Sequence, residues 1–503
     1  METLHQIIRQ AEENYTQGNS KLSEYVNFNL YETIETIYAY LNSKHISGGV
    51  DSLGREKPFF NIVTAAVNIW YRATDIDRKD ITVLPNSSNT VTAAFLATVL
   101  LQEWMKKTRF GVFLNDWGRT LAQYGSAVVK FVEKEGIIIP TVVPWNRLVV
   151  DPIDFNAIPR IEKFYKTPSQ LKNMANSSHP DYVGYDPDVV NKIIESKTVR
   201  KTIKGHQKDN QDNFIELYEV HGQLSLATYK QAKGEEVKDG DENEYFQQMH
   251  VITFIQISGD KYEDFTLYCG KEKKDPYMLT HLIEEPGRTL SIGAVEYLFD
   301  AQWMQNHTIK QWKDQMDLSS KLIFQTADTN FIGKNILTNL EVGDILVHNS
   351  NMPVTQFPNI GHDITNLQGF MNQWKLLGQE ITSTPEAARG ITPPSGTALG
   401  TVQIVTGQGL SLFEIMVENK AHALEEMLRE HIIPHLKTKL NTDEEIAAVL
   451  EDRDIKKLDS IYIPREAARR YNRKAIKDVL ENKIPSPYLS EVEEGAVRQE
   501  LSS

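Results

Sequence analysis

The chain has 503 residues, with 54 Lys plus Arg against 68 Asp plus Glu, a formal net charge of −14. That length accommodates about three domains with sizeable cores, and 40% hydrophobic against 24% charged residues excludes a disordered or membrane-embedded chain. The acidic balance argues against a protein that coats nucleic acid with its whole surface, though not against one past which DNA moves without sticking. The one cysteine, Cys269, excludes an intramolecular disulfide and any multi-cysteine zinc or iron–sulfur site.

METLHQIIRQ carries charges where a signal peptide needs an apolar run, so no such leader is expected. Residues 1–45 read as helical, with Leu30, Ile34, Ile37 and Leu41 along one stripe. The glycine-containing run 48–54 is a loop, and 58–71 a helix with Ile62, Ala65, Ala66 and Ile69 on one face. Asn89 or Thr90 can cap a helix over 91–107, whose most apolar part is about half the length of a membrane span and reads as buried. A further helix covers 115–124, and Gly125 leads into a strand pair, 126–132 and 137–143. Thr167-Pro168 marks a helix start, with a hydroxyl at the N-cap and proline at the first helical position. In the charged stretch 197–244 a strand is expected over 214–220, with 201–213 and 230–244 loose. Alternation returns over 250–258 and 265–269, so the first 285 residues form an α+β region with an antiparallel second half.

Residues 288–317 contain no proline and read as one helix of about thirty residues, about 45 Å long. Ile292, Val295, Phe299, Ile309, Trp312 and Met316 keep the helical period, but Gln302, Asn306 and Lys313 share the stripe. Two readings fit: a surface helix on a large domain, or a helix packed against copies of itself in a ring. Strands are expected at 321–325, 335–338 and 345–347, and a second helix over 363–381 places Leu367, Phe370, Met371, Trp374 and Leu377 on one side. The loop 383–400 holds three prolines and three glycines. A long helix then runs over 401–433, bent or ended by Pro434, and a helical tail begins at Asn441 with Thr442 and Glu445 as a capping box.

Patterns for catalysis are absent from the sequence. There is no Walker A loop, HExxH or GxSxG, and Gly407-Gln408-Gly409 lacks the third glycine of a dinucleotide site. His431 and His435 are four apart but flank Pro434 and lack a third ligand, so capping or solvated histidines are expected. The acidic run 239–244 lacks the sixth-position glycine of a calcium loop, and Asp75, Asp77 and Asp80 are interleaved with Arg78 and Lys79, as surface ion pairs are.

The order of elements resembles the portal proteins of tailed bacteriophages. One stretch carrying the likeness holds Gly293, Glu296, Gln302, Asn306 and Asp317; a second is the turn 340–345, with valine at 342 where the family has proline. A third is the glycine-, proline- and threonine-rich run from Gly390 to Gln408, and residues 145–152 add a wing-like segment. The resemblance implies a mixed α+β ring subunit. Its expected parts are a wing over 1–287, stem helices over 288–319 and 361–382, a clip over 320–360, a tunnel loop over 383–400, a long helix over 401–440 and a helical crown over 441–503.

It also implies a ring of twelve copies at one capsid vertex, a channel for packaging and ejecting double-stranded DNA. The terminase large subunit docks there first and a head–tail adaptor later, beside the major capsid and scaffolding proteins, with no membrane and no cofactor. On that reading Glu386, Arg389, Thr392, Pro393, Pro394 and Ser395 lie in the tunnel loop, and Phe331, Lys334, Asn335 and Asn339 in the clip face the motor or adaptor. Lys310 and Lys313 are stem candidates for light phosphate contact, with surface ion pairing the alternative. The competing functions are a packaging-associated DNA-processing enzyme and another structural virion protein.

Overall fold

The computed structural model describes residues 3–52, 54–86, 91–134, 136–204, 214–319, 324–327, 329, 351–352, 355–356, 364–384, 399–439 and 452–481. The fold is mixed α+β. It divides into two units, one of residues 1–34, 70–293 and 410–503, the other of 35–69 and 294–409.

The chain opens with α1 (Leu4–Gln17), capped reciprocally by Thr3 and Gln6, and a short hairpin of β1 (Ser20–Lys21) and β2 (Asn27–Phe28). The hairpin interrupts what the sequence suggested was continuous helix. Next come α2 (Leu30–Leu41), α3 (Val63–Ala73), α4 (Val91–Lys107) and α5 (Phe110–Tyr124). The expected span of α4 is borne out, while α5 starts five residues earlier than expected. Its extra turn buries Phe110, Phe113 and Leu114, which supply the apolar surface that makes helix worthwhile.

The first unit holds two antiparallel sheets. One has the order β10–β3–β4, built from β3 (Ser126–Lys134), β4 (Ile137–Val143) and, far along the chain, β10 (Tyr277–His281). The other is a meander of β5 (Leu148–Val149), β6 (Arg160–Lys166), β7 (Ile215–Ser225), β8 (Tyr245–Ser258) and β9 (Lys261–Lys271). Two helices, α6 (Pro168–Ala175) and α7 (Pro187–Lys204), lie between β6 and β7 in sequence, and Leu171, Val190 and Ile193 from them share a core with Leu217, Val251 and Leu267 of the meander. The Thr167 hydroxyl accepts the Gln170 N–H while the Gln170 side chain accepts from Thr167 N, so the expected helix start is present. Residues 230–244, expected to be loose, instead complete α8 (Leu226–Lys233) and a 3₁₀ turn. Asp241 is the reason: its carboxylate accepts from Lys230 Nζ at 2.6 Å and from Lys238 N at 2.7 Å.

Residues 288–317 are not one helix. A 3₁₀ turn at Glu296–Leu298 precedes α9 (Phe299–Ser319), which has 21 residues. The glycines explain the late start. Gly125 ends α5 with φ of 73°, and a Cβ there would come within 2.6 Å of the Ile292 carbonyl carbon; a Cβ on Gly293 would overlap the Gln123 carbonyl oxygen. The chain at 292–293 lies backbone against backbone on the end of α5, a contact that two glycines allow and a helix would not.

After β11 (Phe324–Gln325) and β12 (Thr355–Gln356), which pair, α10 (Ile364–Ile381) returns beside α9. The long helix α11 (Leu399–Met427) continues through a π-turn at Leu428–Ile432 into α12 (Ile433–Lys439), so Pro434 does not end it. Proline displaces the carbonyl four residues back, here that of Glu430, and Lys274 Nζ donates to this carbonyl oxygen at 2.7 Å. The device recurs in the tail, where α13 (Asp452–Lys457) passes through a π-turn at Leu458–Tyr462 into α14 (Ile463–Leu480), with Pro464 in its first turn. The predicted strands at 335–338 and 345–347 and the capping box of Thr442 and Glu445 lie outside the described residues.

Candidate functional site

In the second unit the site is the helix pair. The polar residues that share the α9 stripe are buried and bonded within the chain. Gln302 Oε1 accepts from Ile62 N at 2.9 Å, and its Nε2 donates to Phe60 O at 2.7 Å; Asn306 Oδ1 accepts from Phe60 N at 3.1 Å. Two amides thus complete the backbone bonds of an extended segment that enters no sheet. Gln305 Nε2 donates to the Met371 carbonyl, and Gly378 packs closely on Leu298, where an added Cβ would lie 3.0 Å from Leu298 Cδ2, which makes α9 and α10 antiparallel neighbours. The hydrogen-bonding groups of Gln302 and Asn306 thus serve residues 60–62 of the same chain.

The outer faces of the same helices carry large exposed apolar side chains among polar ones. Trp303 is 57% exposed and stacks on His307 with ring centroids 5.4 Å apart. On α10 the expected stripe splits: Leu367, Met371 and Trp374 are half-buried, while Phe370, Leu377 and, beyond them, Ile381 are exposed. Lys310 and Lys313 hold the loop near residue 50. Lys310 Nζ lies 3.8 Å from Asp51, Lys313 Nζ donates to Glu56 O at 3.3 Å, and Arg55 pairs with Asp314 at 3.1 Å. Lys310 is thus ion-paired within the chain, and Lys313 bonds a backbone carbonyl. Glu386, Arg389, Thr392, Pro393, Pro394, Ser395, Phe331, Lys334, Asn335 and Asn339 lie outside the described residues.

The first unit contains a charged junction that sequence reading missed. On adjacent strands Glu162 stands directly across from Glu219, and Arg160 across from His221. Like charges so placed repel, and each pair is compensated from elsewhere. Lys130 of β3 reaches 2.8 Å from both Glu162 and Glu219, and Tyr277 of β10, its cross-strand neighbour, donates its hydroxyl to Glu162 at 2.8 Å. His221 lies 2.6 Å from Glu219 and 2.9 Å from Glu272, while Arg160 pairs with Asp275. Burial opposes ionisation of Glu219, but the bond from His221 and the charge of Lys130 outweigh it and hold its pKa at about 2. For Lys130 and His221 burial is likewise outweighed by the carboxylates, and both pKa values are raised. Lys130 and Tyr277 belong to one sheet and Glu162 and Glu219 to the other, so the network ties the sheets together.

A second buried cation, Lys420 of α11, donates to Thr74 O at 2.7 Å and lies 5.3 Å from the Trp117 ring; burial lowers its pKa to about 8. Ser126 Oγ lies 2.8 Å from His281 Nδ1, a pairing that could suggest a nucleophile, but Ser126 is fully buried and its Oγ accepts from Ser291 N at 2.7 Å. His431 stacks on Phe131 at 3.9 Å, its pKa lowered to about 4 by burial, and His435 Nε2 is 3.1 Å from Gly136 O. These histidines are packing and bridging groups. Among the described residues no group of three or more His, Cys, Asp or Glu side chains could hold a metal ion, and no helix is long and apolar enough to cross a membrane. No protein-family model matches the chain, and no curated protein matches it in sequence.

Proposed function

We propose that this chain is a portal-like subunit: copies close into a ring at one capsid vertex, forming the channel for genome packaging and ejection and the platform for the terminase motor and then the tail connectors. The observation that carries the reading is the set of large apolar side chains exposed on both helices of one pair, Trp303 and Met316 on α9 and Phe370, Leu376, Leu377 and Ile381 on α10. Exposed apolar surface of this kind favours association. Exposed apolar groups on two different helices suit head-to-tail contacts, which close into rings when the rotation allows. The element order agrees with the resemblance, helix, short β pair, then returning helix, and the net charge of −14 keeps a DNA channel from binding phosphate tightly. The tunnel-loop, stem and clip roles of the residues named from sequence belong to this proposal.

Electron microscopy and native mass measurement of the purified protein test it. Closed rings with a central hole are expected, and a stable monomer at high concentration would overturn the reading. The double variant Trp303→Glu, Leu377→Arg should stay folded and fail to assemble. Deleting residues 392–398 should leave rings intact while impairing DNA packaging or retention.

A further inference from the structure

The charged junction of the first unit specifies its own proton count. Both ring nitrogens of His221 face carboxylate oxygens, Nε2 toward Glu219 at 2.6 Å and Nδ1 toward Glu272 at 2.9 Å. A neutral imidazole has one N–H and one lone pair, so one of these contacts would set a lone pair against an anionic oxygen. An imidazolium donates at both. Glu219 has no proton to offer, because Lys130 Nζ lies 2.8 Å from the same oxygen. Moving the proton to Glu272 would take it from the stronger base to the weaker, since imidazole exceeds a carboxylate by about two pH units.

His250, on the neighbouring strand, is the internal contrast. Gln248 Nε2 donates to Leu224 O and Ser225 O, so its Oε1 must accept from His250 Nε2, at 2.9 Å. No carboxylate touches that ring, and burial lowers its pKa to about 4. Two buried histidines on paired strands therefore hold opposite charge states, set by what faces each ring.

The groups around His221 come from every element packed on it. They are Glu219 on its own strand, Arg160 and Glu162 on β6, His250 on β8, Glu272 and Asp275 in the connection after β9, Tyr277 on β10 and Lys130 on β3. Glu272 begins residues 272–276, which carry the chain from the five-stranded sheet into the three-stranded one. We propose that His221 is an imidazolium in the folded protein, and that its proton fastens β7 to this connection as a joint that opens when the solution turns alkaline.

The sign follows from linkage. A group that binds its proton more tightly when folded contributes stability that is complete below its unfolded value, near 6.5, and is lost as pH rises through the raised folded value. Lys420 acts in the opposite direction in the same range, so the comparison is made between two proteins that both contain it.

Full-length protein labelled with ¹⁵N on histidine provides the first test, with His221→Gln identifying the resonances. Both ring nitrogens of His221 should be protonated at pH 7 and His250 should show one N–H; an unprotonated His221 nitrogen at pH 7 overturns the proposal. The thermal midpoint of the unsubstituted chain should exceed that of His221→Gln most at pH 6, and the gap should shrink toward pH 10. A gap constant over that range also overturns it. Should His221→Gln fail to fold, Glu272→Gln removes one facing charge and keeps a hydrogen-bonding group. It should make His221 lose its proton at least about one pH unit lower, and no shift in that variant counts against the joint.

Discussion

In the first unit the polar groups buried between sheets are charged and paired; in the helix pair of the second they are amides that bond the backbone, while Trp303, Phe370, Leu377 and Ile381 of the same helices are exposed. Lys130, Glu162, Glu219 and His221 form a network between two sheets, with Glu219 and His221 on the same strand face as the buried Ile215 and Leu217. Gln302 and Asn306 sit where a helix normally buries leucine, and Trp303, Phe370 and Ile381 stay exposed. The first arrangement is complete within one chain. The second satisfies its backbone internally and leaves its apolar surface for something else to cover. Polarity by itself does not say which face of an element is inside; the partners of each polar atom do.

Four substitutions would break or sharpen that contrast. Lys130→Met should be the most damaging, because it removes the cation that Glu162 and Glu219 share across the strands, a loss of about 3–5 kcal/mol, read as a lowered unfolding midpoint. Gly293→Val should cost about 3 kcal/mol or more through overlap with the end of α5, measured the same way. Gln302→Leu should cost about 1–3 kcal/mol by orphaning Ile62 N and Phe60 O. It should also expose residues 59–62 to faster hydrogen exchange. Lys310→Gln should change stability by less than about 0.5 kcal/mol, since its ion pair with Asp51 is partly exposed; a larger loss would show that the loop near residue 50 depends on it.

A further measurement separates the two buried cations. Lys420 has a folded pKa of about 8, below the ordinary lysine value, so its contribution to stability should rise between about pH 8 and 10.5, where the unfolded chain binds more protons. Lys420→Met should flatten that rise in a pH series of unfolding midpoints.

Local chemistry was legible in the sequence and distant compensation was not. The strand pair around residues 126–143, the bounds of α4 and the cap at Thr167 rest on neighbours within a few positions. The junction combines Lys130 with residues 32 to 147 positions away, through a register that no single stretch reveals. Residues 288–295 read as helix because proline is absent, yet the close approach of Gly125 and Gly293 decides their path. Of the candidate site, Lys310 and Lys313 are placed beside the loop they steady, and Gln302 and Asn306 have partners in 60–62, a segment with no polar signature of its own.

The π-turn before Pro434 has a geometric consequence for everything after it. One residue added to a helical turn sets the following side chains back by about 100° relative to an uninterrupted α-helix. His435 reaches Gly136 O from that shifted phase. Replacing Pro434 with alanine would remove the reason for the extra residue; a helix relaxing to the regular form would turn its last segment by more than a quarter revolution. The proline thus acts as an indexing pin, fixing the angle at which the end of the helix meets the turn between β3 and β4.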